Sequence, residues 1–178
     1  MKLLAVAVAA GLVAAAGCAP KTHEWERLSR PVKAPAFMLT RLESGAVTLE
    51  QLHGKIILME FWATWCEPCR YSSPSLDAMY RQYKDKGVTV LLVNEGEPAA
   101  KVRAWAGGRF EAPIVLDSDL SVGRRYDVNA LPSLFIIDGE GLVQYKREGY
   151  EGGLEQDLRV ILKTLMDERA AAAKAHAR

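Results

Sequence analysis

The sequence predicts a single α/β domain built on a parallel or mixed central sheet. Residues 56–62 and 88–93 are apolar runs without a helical period, a pattern typical of strands that are buried on both faces of such a sheet. Between them, residues 71–84 carry apolar side chains at helical spacing. A chain of 178 residues is long enough for one domain with one core.

The first 17 residues predict a secretory signal of the lipoprotein type. A charged start precedes an apolar, alanine-rich segment over residues 3–16, which is too short to favour a membrane span. Residues 15–18, Ala-Ala-Gly-Cys, resemble a lipobox, in which the cysteine becomes the acylated first residue of a bacterial lipoprotein. The resemblance implies lipidation of Cys18 and the periplasmic face of a bacterial membrane. Ordinary signal cleavage nearby, or an uncleaved anchor, is the alternative.

The domain organisation follows from composition. We expect residues 18–35 to be a tether, because residues 20–35 are polar, contain three prolines and show no sustained period. The folded domain is predicted over residues 36–168, and an alanine-rich, charged tail over residues 169–178. The chain has 23 basic and 22 acidic side chains without a strong basic cluster, so no nucleic acid is expected as a partner.

Residues 36–52 predict two short strands around Ser44 and Gly45, with a turn at residues 53–55. The buried strand over residues 56–62 follows. It leads into Cys66 and Cys69 at the start of the next helix, where unpaired backbone N–H groups make a thiol easier to ionise. Cys66 is then the attacking nucleophile, and Cys69 resolves the mixed disulfide. Pro68 suits a first helical turn, where its missing N–H costs nothing.

Three other interpretations of the cysteine pair fit the sequence less well. A structural zinc site needs four ligands. The remaining cysteine and histidines show no ligand spacing: Cys18, His23, His53 and His176. Covalent haem attachment needs histidine directly after the second cysteine, where this chain has Arg70. A structural disulfide would need neither the strand-to-helix junction nor the adjacent Trp65 and the proline between the cysteines.

Residues 61–69, Phe-Trp-Ala-Thr-Trp-Cys-Glu-Pro-Cys, resemble the active-site segment of the thioredoxin superfamily. The Glu67-Pro68 pair resembles its TlpA/ResA branch of exported, membrane-tethered thiol-disulfide oxidoreductases. The resemblance extends over most of residues 35–165. It implies a thioredoxin fold with a mixed central sheet flanked by helices, an N-terminal hairpin and an inserted helix-strand unit. It implies no cofactor, and it puts Trp65, Glu67 and Pro68 on the surface that binds a client protein.

The elements after the second buried strand fit that inserted unit. A helix is predicted over residues 98–106, a strand over 113–116 and a further helix over 120–126. Glu95 and Glu97 lie in the loop that leaves the second strand. They could line a partner groove, but we expect them to be exposed loop carboxylates.

Pro132 stands just before the predicted strand 134–137, where a proline marks a strand start or a bend. The resemblance implies that it is a cis-proline facing the cysteines, which presents the backbone of Leu131 to an extended client segment. A turn at residues 138–141 and a strand over 142–146 follow. The last predicted element is an amphipathic helix, with one apolar face made of Leu154, Leu158, Ile161, Leu162 and Leu165.

Glu60 breaks the apolar pattern of the first buried strand. A carboxylate there is expensive unless it has a partner or a task. Its position, six residues before Cys66, matches the buried acid that the superfamily uses to move a proton to and from the resolving cysteine. Desolvation should raise the pKa of Glu60 toward neutrality, which suits a general acid and base. Exposure at a strand end is the alternative.

The predicted function is an exported, membrane-tethered thiol-disulfide oxidoreductase that reduces protein disulfides. By resemblance, its clients include apocytochromes c, and a membrane-bound thiol donor supplies the electrons. Two alternatives stay open. A peroxiredoxin-type peroxidase shares the hairpin and core but usually has a lone reactive cysteine after a Pro-x-x-x-Thr-like lead. A copper chaperone on this fold spaces its cysteines by three residues instead of two.

Overall fold

The computed structural model describes residues 25–176. Within that range the strands are β1 (Glu26–Lys33), β2 (Met38–Arg41), β3 (Ala46–Thr48), β4 (Ile56–Trp62), β5 (Val88–Glu95), β6 (Ile114–Asp117), β7 (Ser133–Ile137) and β8 (Leu142–Glu148). The helices are α1 (Cys69–Tyr83), α2 (Ala99–Ala106), α3 (Ser121–Arg125) and α4 (Leu154–His176), with short 3-10 turns at Glu50–Leu52 and Lys84–Lys86. The predicted signal segment, residues 1–17, and Cys18 lie outside the described residues.

The described strands form one mixed sheet in the order β1-β8-β7-β4-β5-β6-β2-β3. β4 lies inside the sheet, parallel to β5 and antiparallel to β7. β5 is parallel to β6, and α1 and α2 make the two crossovers that parallel strands require. The predicted α/β class with a mixed sheet is therefore confirmed. So are the predicted hairpin, now β2 and β3, and the inserted unit, now α2 and β6.

Both faces of β4 are buried, and its residues alternate between two cores. Ile56, Leu58 and Trp62 pack with the apolar sides of α1 and α4. Ile57, Met59 and Phe61 pack with the β2–β3 hairpin and α3 on the other face. A fully buried side chain of this size stabilises the fold by about 1.5–3 kcal/mol. This double burial explains why all residues of β4 except Glu60 are apolar.

The predicted tether is corrected over part of its length, because residues 26–33 form the edge strand β1, antiparallel to β8. Nearly all side chains of β1 are exposed, so the sequence lacks the apolar alternation that predicts a strand. Pro31 lies where the pairing register shifts between Arg27 and Val32, a site that tolerates a residue without an N–H. Glu26 pairs with Lys146, which puts the start of β1 level with Met59 in the middle of β4, and β1 runs from there away from the edge of the sheet where β4 ends.

The last helix, α4, uses the apolar face that the sequence predicts. Leu154, Leu158 and Leu162 are buried against the α1 side of the sheet. The helix continues to His176, so the predicted tail is helical over its described part. Among residues 25–176, no helix combines the length and apolarity needed to span a bilayer.

Candidate active site

The cysteine pair lies where β4 gives way to α1. Cys66 and Cys69 form a disulfide with an Sγ–Sγ distance of 2.05 Å and a Cα–Cα distance of 5.3 Å. Cys69 is the first residue of α1, and Cys66 lies two residues before its N-cap, Pro68. The predicted placement of both sulfurs at a strand-to-helix junction is confirmed.

The two sulfurs differ in their surroundings. The backbone N–H of Cys69 donates to Cys66 Sγ at 3.3 Å. The same N–H, together with the partial positive charge of the helix end, would stabilise a Cys66 thiolate after reduction of the disulfide. Cys69 is fully buried and Cys66 is 3% exposed, so Cys66 is the more accessible of the two residues.

The peptide bond between Leu131 and Pro132 is cis, as the resemblance implied. Because Ser133 pairs with Phe61 near the end of β4, this bond lies at the edge of the sheet that carries the disulfide. Gly149 N–H donates to the carbonyl of Pro132 at 2.8 Å and holds the bend in place. Within the described residues the backbone of Leu131 makes no hydrogen bond of its own, so it is available to an added strand.

Glu60 is fully buried on the face of β4 that packs against α1. The hydroxyl of Ser73 donates to Glu60 Oε2 at 2.7 Å, and the hydroxyl of Ser72 donates to Oε1. Burial raises the pKa of Glu60 to about 7, while the two serine hydroxyls oppose the rise by stabilising the carboxylate. The predicted pKa direction is confirmed, and the carboxyl is bonded to the same turns of α1 that follow Cys69.

The prediction that Glu97 is an exposed loop carboxylate is wrong. Its side chain is 6% exposed and accepts hydrogen bonds from both the backbone and the side chain of Thr64, from Asn94 and from Lys101. Burial disfavours the charged form, but these donors outweigh it and lower the pKa of Glu97 to about 2. Nothing in the polar sequence Asn-Glu-Gly-Glu-Pro signals this arrangement.

Glu95 also departs from the prediction, since it is only partly exposed. Burial raises its pKa to about 7, helped by the charge of Asp117 and a hydrogen bond to it, while Arg124 opposes the rise. Its carboxyl packs on Gly123, where a Cβ would lie 2.6 Å from Glu95 Oε1. The sequence did contain a signal for this burial, because Glu95 lies at the end of an apolar strand.

A groove of about 500 Å³ opens beside the disulfide. Trp65 and Leu131 line it together with Glu95, Glu97 and Lys101. The indole of Trp65 is 67% exposed, a large apolar side chain left in solvent next to a reactive centre. The other predicted docking residues, Glu67 and Pro68, are exposed on the loop that joins the cysteines.

Residues 25–176 contain no group of three or more His, Cys, Asp or Glu side chains that could hold a metal ion.

These features define a class: a thioredoxin-fold protein whose working group is a vicinal dithiol, as in thiol-disulfide oxidoreductases. The model of the AhpC/TSA family matches residues 32–146, and the chain belongs to that family. Within it, the sequence is similar to ResA-type proteins, in agreement with the resemblance stated above.

The relatives carry consistent descriptions. The chain is 38% identical over 121 residues to the thiol-disulfide oxidoreductase ResA of Bacillus subtilis, covering 66% of each protein, slightly less than two thirds of that relative. It is 31% identical over 138 residues to ResA of Bacillus cereus, covering 74% of this chain and 80% of the relative. The crystal structure of a DsbE-like thiol:disulfide interchange protein from Chlorobium tepidum matches with a TM-score of 0.73 at 28% identity, covering 78% of this chain and 99% of that one.

Proposed function

We propose that this protein is an exported, membrane-tethered reductant of disulfide bonds in other proteins. The observation that carries the proposal is the Cys66–Cys69 disulfide at the start of α1, with Cys66 Sγ facing the N–H of Cys69. A pair in this position can alternate between dithiol and disulfide while only one sulfur meets the partner.

The reaction starts from the reduced pair. The Cys66 thiolate attacks one sulfur of a client disulfide, which forms a mixed disulfide and releases the other client sulfur as a thiol after protonation. Cys69 then loses its proton to Glu60 and attacks Cys66 Sγ. The second client thiol leaves, and two electrons have passed from the protein to the client. A pKa near 7 lets Glu60 accept and return that proton close to neutral pH.

The client segment binds in the groove beside the disulfide. Its backbone pairs with the free backbone groups of Leu131 ahead of cis-Pro132, as an added strand. Trp65, which lines the same groove as Leu131, supplies apolar contact area, and Glu67 and Pro68 line the approach to Cys66. Backbone pairing depends little on the client's side chains, so the site suits extended, partly unfolded disulfide proteins. Apocytochromes c, whose paired cysteines must be reduced before haem attachment, belong to this class.

Trapping in cells tests the reaction. In Cys69→Ala, attack by Cys66 still occurs but release does not, so mixed disulfides with clients and with the electron donor accumulate. Capture under non-reducing conditions should recover covalent partners that disappear on reduction. Cys66→Ala is the matched control. If both variants recover the same proteins, or neither recovers any, the reductase proposal fails.

The direction of electron flow has its own measurement. A carboxylate next to Cys66, from Glu67, disfavours the thiolate, whereas strong oxidants stabilise it with positive charge. We therefore expect a midpoint nearer roughly −270 mV than the roughly −120 mV of a strong exported oxidant. Redox titration followed by tryptophan fluorescence measures it, since Trp62 and Trp65 lie close to the pair. A midpoint above about −180 mV would reverse the assigned direction.

The tether is proposed from the lipobox resemblance of residues 15–18. Lipid on Cys18 would hold the domain at the periplasmic face of a membrane, within reach of a membrane-bound thiol donor. Cys18→Ala should lose lipid labelling while keeping disulfide exchange. An unlabelled wild-type protein would remove the anchor from the proposal and leave the redox chemistry intact.

A further inference from the structure

Glu97 joins three separate pieces of the fold. It lies in the loop between β5 and α2, and its carboxylate accepts four hydrogen bonds. Thr64 N–H and Asn94 Nδ2 donate to Oε2 at 2.7 and 2.8 Å, and Thr64 Oγ1 and Lys101 Nζ donate to Oε1, both at 2.7 Å. One buried side chain thus ties the loop after β4 to the end of β5 and to the first turn of α2.

Every partner of this carboxylate is a donor. A backbone N–H, an amide NH₂, a hydroxyl and an ammonium group all point at the two oxygens of Glu97. The side chain that fits is one that accepts only, which means an ionised carboxylate. A glutamine of the same shape would turn an NH₂ group toward one pair of donors and leave them buried without an acceptor.

The bonds to Thr64 reach the reactive cysteine through a short piece of backbone. Thr64 lies two residues before Cys66, and Cys66 N–H closes a turn onto the carbonyl of Ala63 at 3.1 Å. With both the N–H and the hydroxyl of Thr64 fixed, this turn has little freedom. The place of Cys66 Sγ opposite Cys69 N–H depends on that turn.

We infer that Glu97 is a positioning residue for Cys66: through Thr64 it holds the loop before α1 so that the attacking sulfur stays against the N–H of Cys69. The inference rests on the proposed function, because it assigns Glu97 a part in thiolate formation and attack. It assigns no contact between Glu97 and the client.

The test must separate position from charge, because removing Glu97 alone leaves the charge of Lys101 near the dithiol. The double variant Glu97→Gln/Lys101→Met removes one negative and one positive charge together, so the net charge around Cys66 is unchanged. In the reduced protein, the alkylation of Cys66 by iodoacetamide is followed against pH by mass spectrometry of its peptide. Reduction of insulin disulfides is measured in parallel.

We expect the double variant to alkylate Cys66 roughly tenfold more slowly at neutral pH, with the alkylation profile moved to higher pH, since the thiolate loses its aligned N–H donor. Insulin reduction should fall by a similar factor. Lys101→Met alone should alkylate Cys66 within about twofold of the wild-type rate, because iodoacetamide does not need the client groove and the Lys101 side chain is 56% exposed. A double variant that folds and keeps the wild-type pH profile overturns the inference.

Two further variants keep the inference testable if the double variant does not fold. Thr64→Ser retains both bonds to Glu97 and should behave as the wild type. Thr64→Val loses the hydroxyl bond but keeps the backbone bond, so it should shift the alkylation profile in the same direction by a smaller amount. If Thr64→Ser and Thr64→Val show the same alkylation profile, the inference is overturned. A wild type that alkylates normally but reduces no protein disulfide would instead count against the proposed function.

Discussion

Glu60 and Glu97 are both buried glutamates next to the disulfide, and the structure gives them opposite proton affinities. Glu60 faces two neutral hydroxyl groups, and its pKa rises to about 7. Glu97 faces four donors, which include a backbone N–H and an ammonium group, and its pKa falls to about 2. Burial alone therefore does not decide the charge state: at Glu60 it outweighs the two hydroxyl donors, and at Glu97 the four donors outweigh it.

The two pKa values differ because the hydrogen-bond donors at each site replace a different share of the water that an exposed carboxylate would bind. Two hydroxyls replace part of the water that an ionised Glu60 would bind, so the neutral acid stays accessible near neutral pH. Four donors, one of them charged, replace nearly all of it for Glu97. The first arrangement suits a group that must gain and lose a proton. The second suits a carboxylate that stays ionised and holds neighbouring segments in place. Each assignment can be tested by experiment.

The largest expected effect is on stability. Since the folded-state pKa of Glu60 lies above its ordinary value of 4.5, its contribution to the free energy of unfolding is fully present below about pH 4.5 and is lost as the pH rises to about 7. The wild type should lose on the order of 3 kcal/mol relative to Glu60→Gln across that window. Urea unfolding of both proteins at several pH values measures the difference.

Glu97 should show the opposite window when the wild type is compared with Glu97→Gln by urea unfolding. Its folded-state pKa is lowered, so its stabilisation is present above about pH 4.5 and is lost as the pH falls toward 2. A stability difference between the wild type and Glu60→Gln that stays constant from about pH 4 to pH 8 would contradict the contrast between the two glutamates.

The next effect in size is on the rate of exchange. Glu60→Gln keeps the shape of the side chain but removes its proton, so insulin reduction at pH 7 should slow by roughly 100-fold, and its pH dependence between about pH 6 and 8 should flatten. Glu95→Gln is the matched control, because Glu95 also has a pKa raised to about 7 but bonds Asp117 instead of the α1 serines. An unchanged profile in Glu60→Gln, or a flattened one in Glu95→Gln, would refute the assignment.

The smallest effect is expected when one hydrogen-bond donor to Glu60 is removed. Ser72→Ala and Ser73→Ala should each raise the pKa of Glu60 further, and should move the pH dependence of exchange upward by about one unit. Ser75→Ala, on the same helix, loses only a bond to the carbonyl of Tyr71 and should leave the profile unchanged. Identical profiles for all three variants would show that the hydroxyls do not set the proton affinity of Glu60.

Sequence reasoning located the parts of this site that break a pattern. Glu60 was visible because a charge interrupts an apolar strand, and the cysteines were visible because their spacing and position leave few other uses. The order of the buried elements followed from β4, β5 and the helix between them, whose periodicity reflects burial directly. Pro132 needed the family resemblance, since sequence alone gives a cis bond a low prior.

The features that the sequence did not predict do not interrupt any pattern of apolar and polar residues. Glu97 is an acid in a polar loop, and only the folded structure brings Thr64, Asn94 and Lys101 around it. Ser72 and Ser73 are ordinary helix residues until α1 is packed on β4. The strand β1 has almost no buried face, so its pairing with β8 comes from backbone hydrogen bonds that leave no trace in side-chain type.

If Cys18 is lipidated as proposed, the direction of β1 bears on how the domain is held. β1 runs antiparallel to β4, so its first residue, Glu26, is the end of the strand nearer to the disulfide edge of the sheet. Trp25 is the seventh residue after Cys18, and seven residues span at most about 25 Å. With a lipid on Cys18, the start of the folded domain would therefore lie within about 25 Å of the anchoring residue. The proposed reduction would then be limited to protein disulfides that come close to the bilayer.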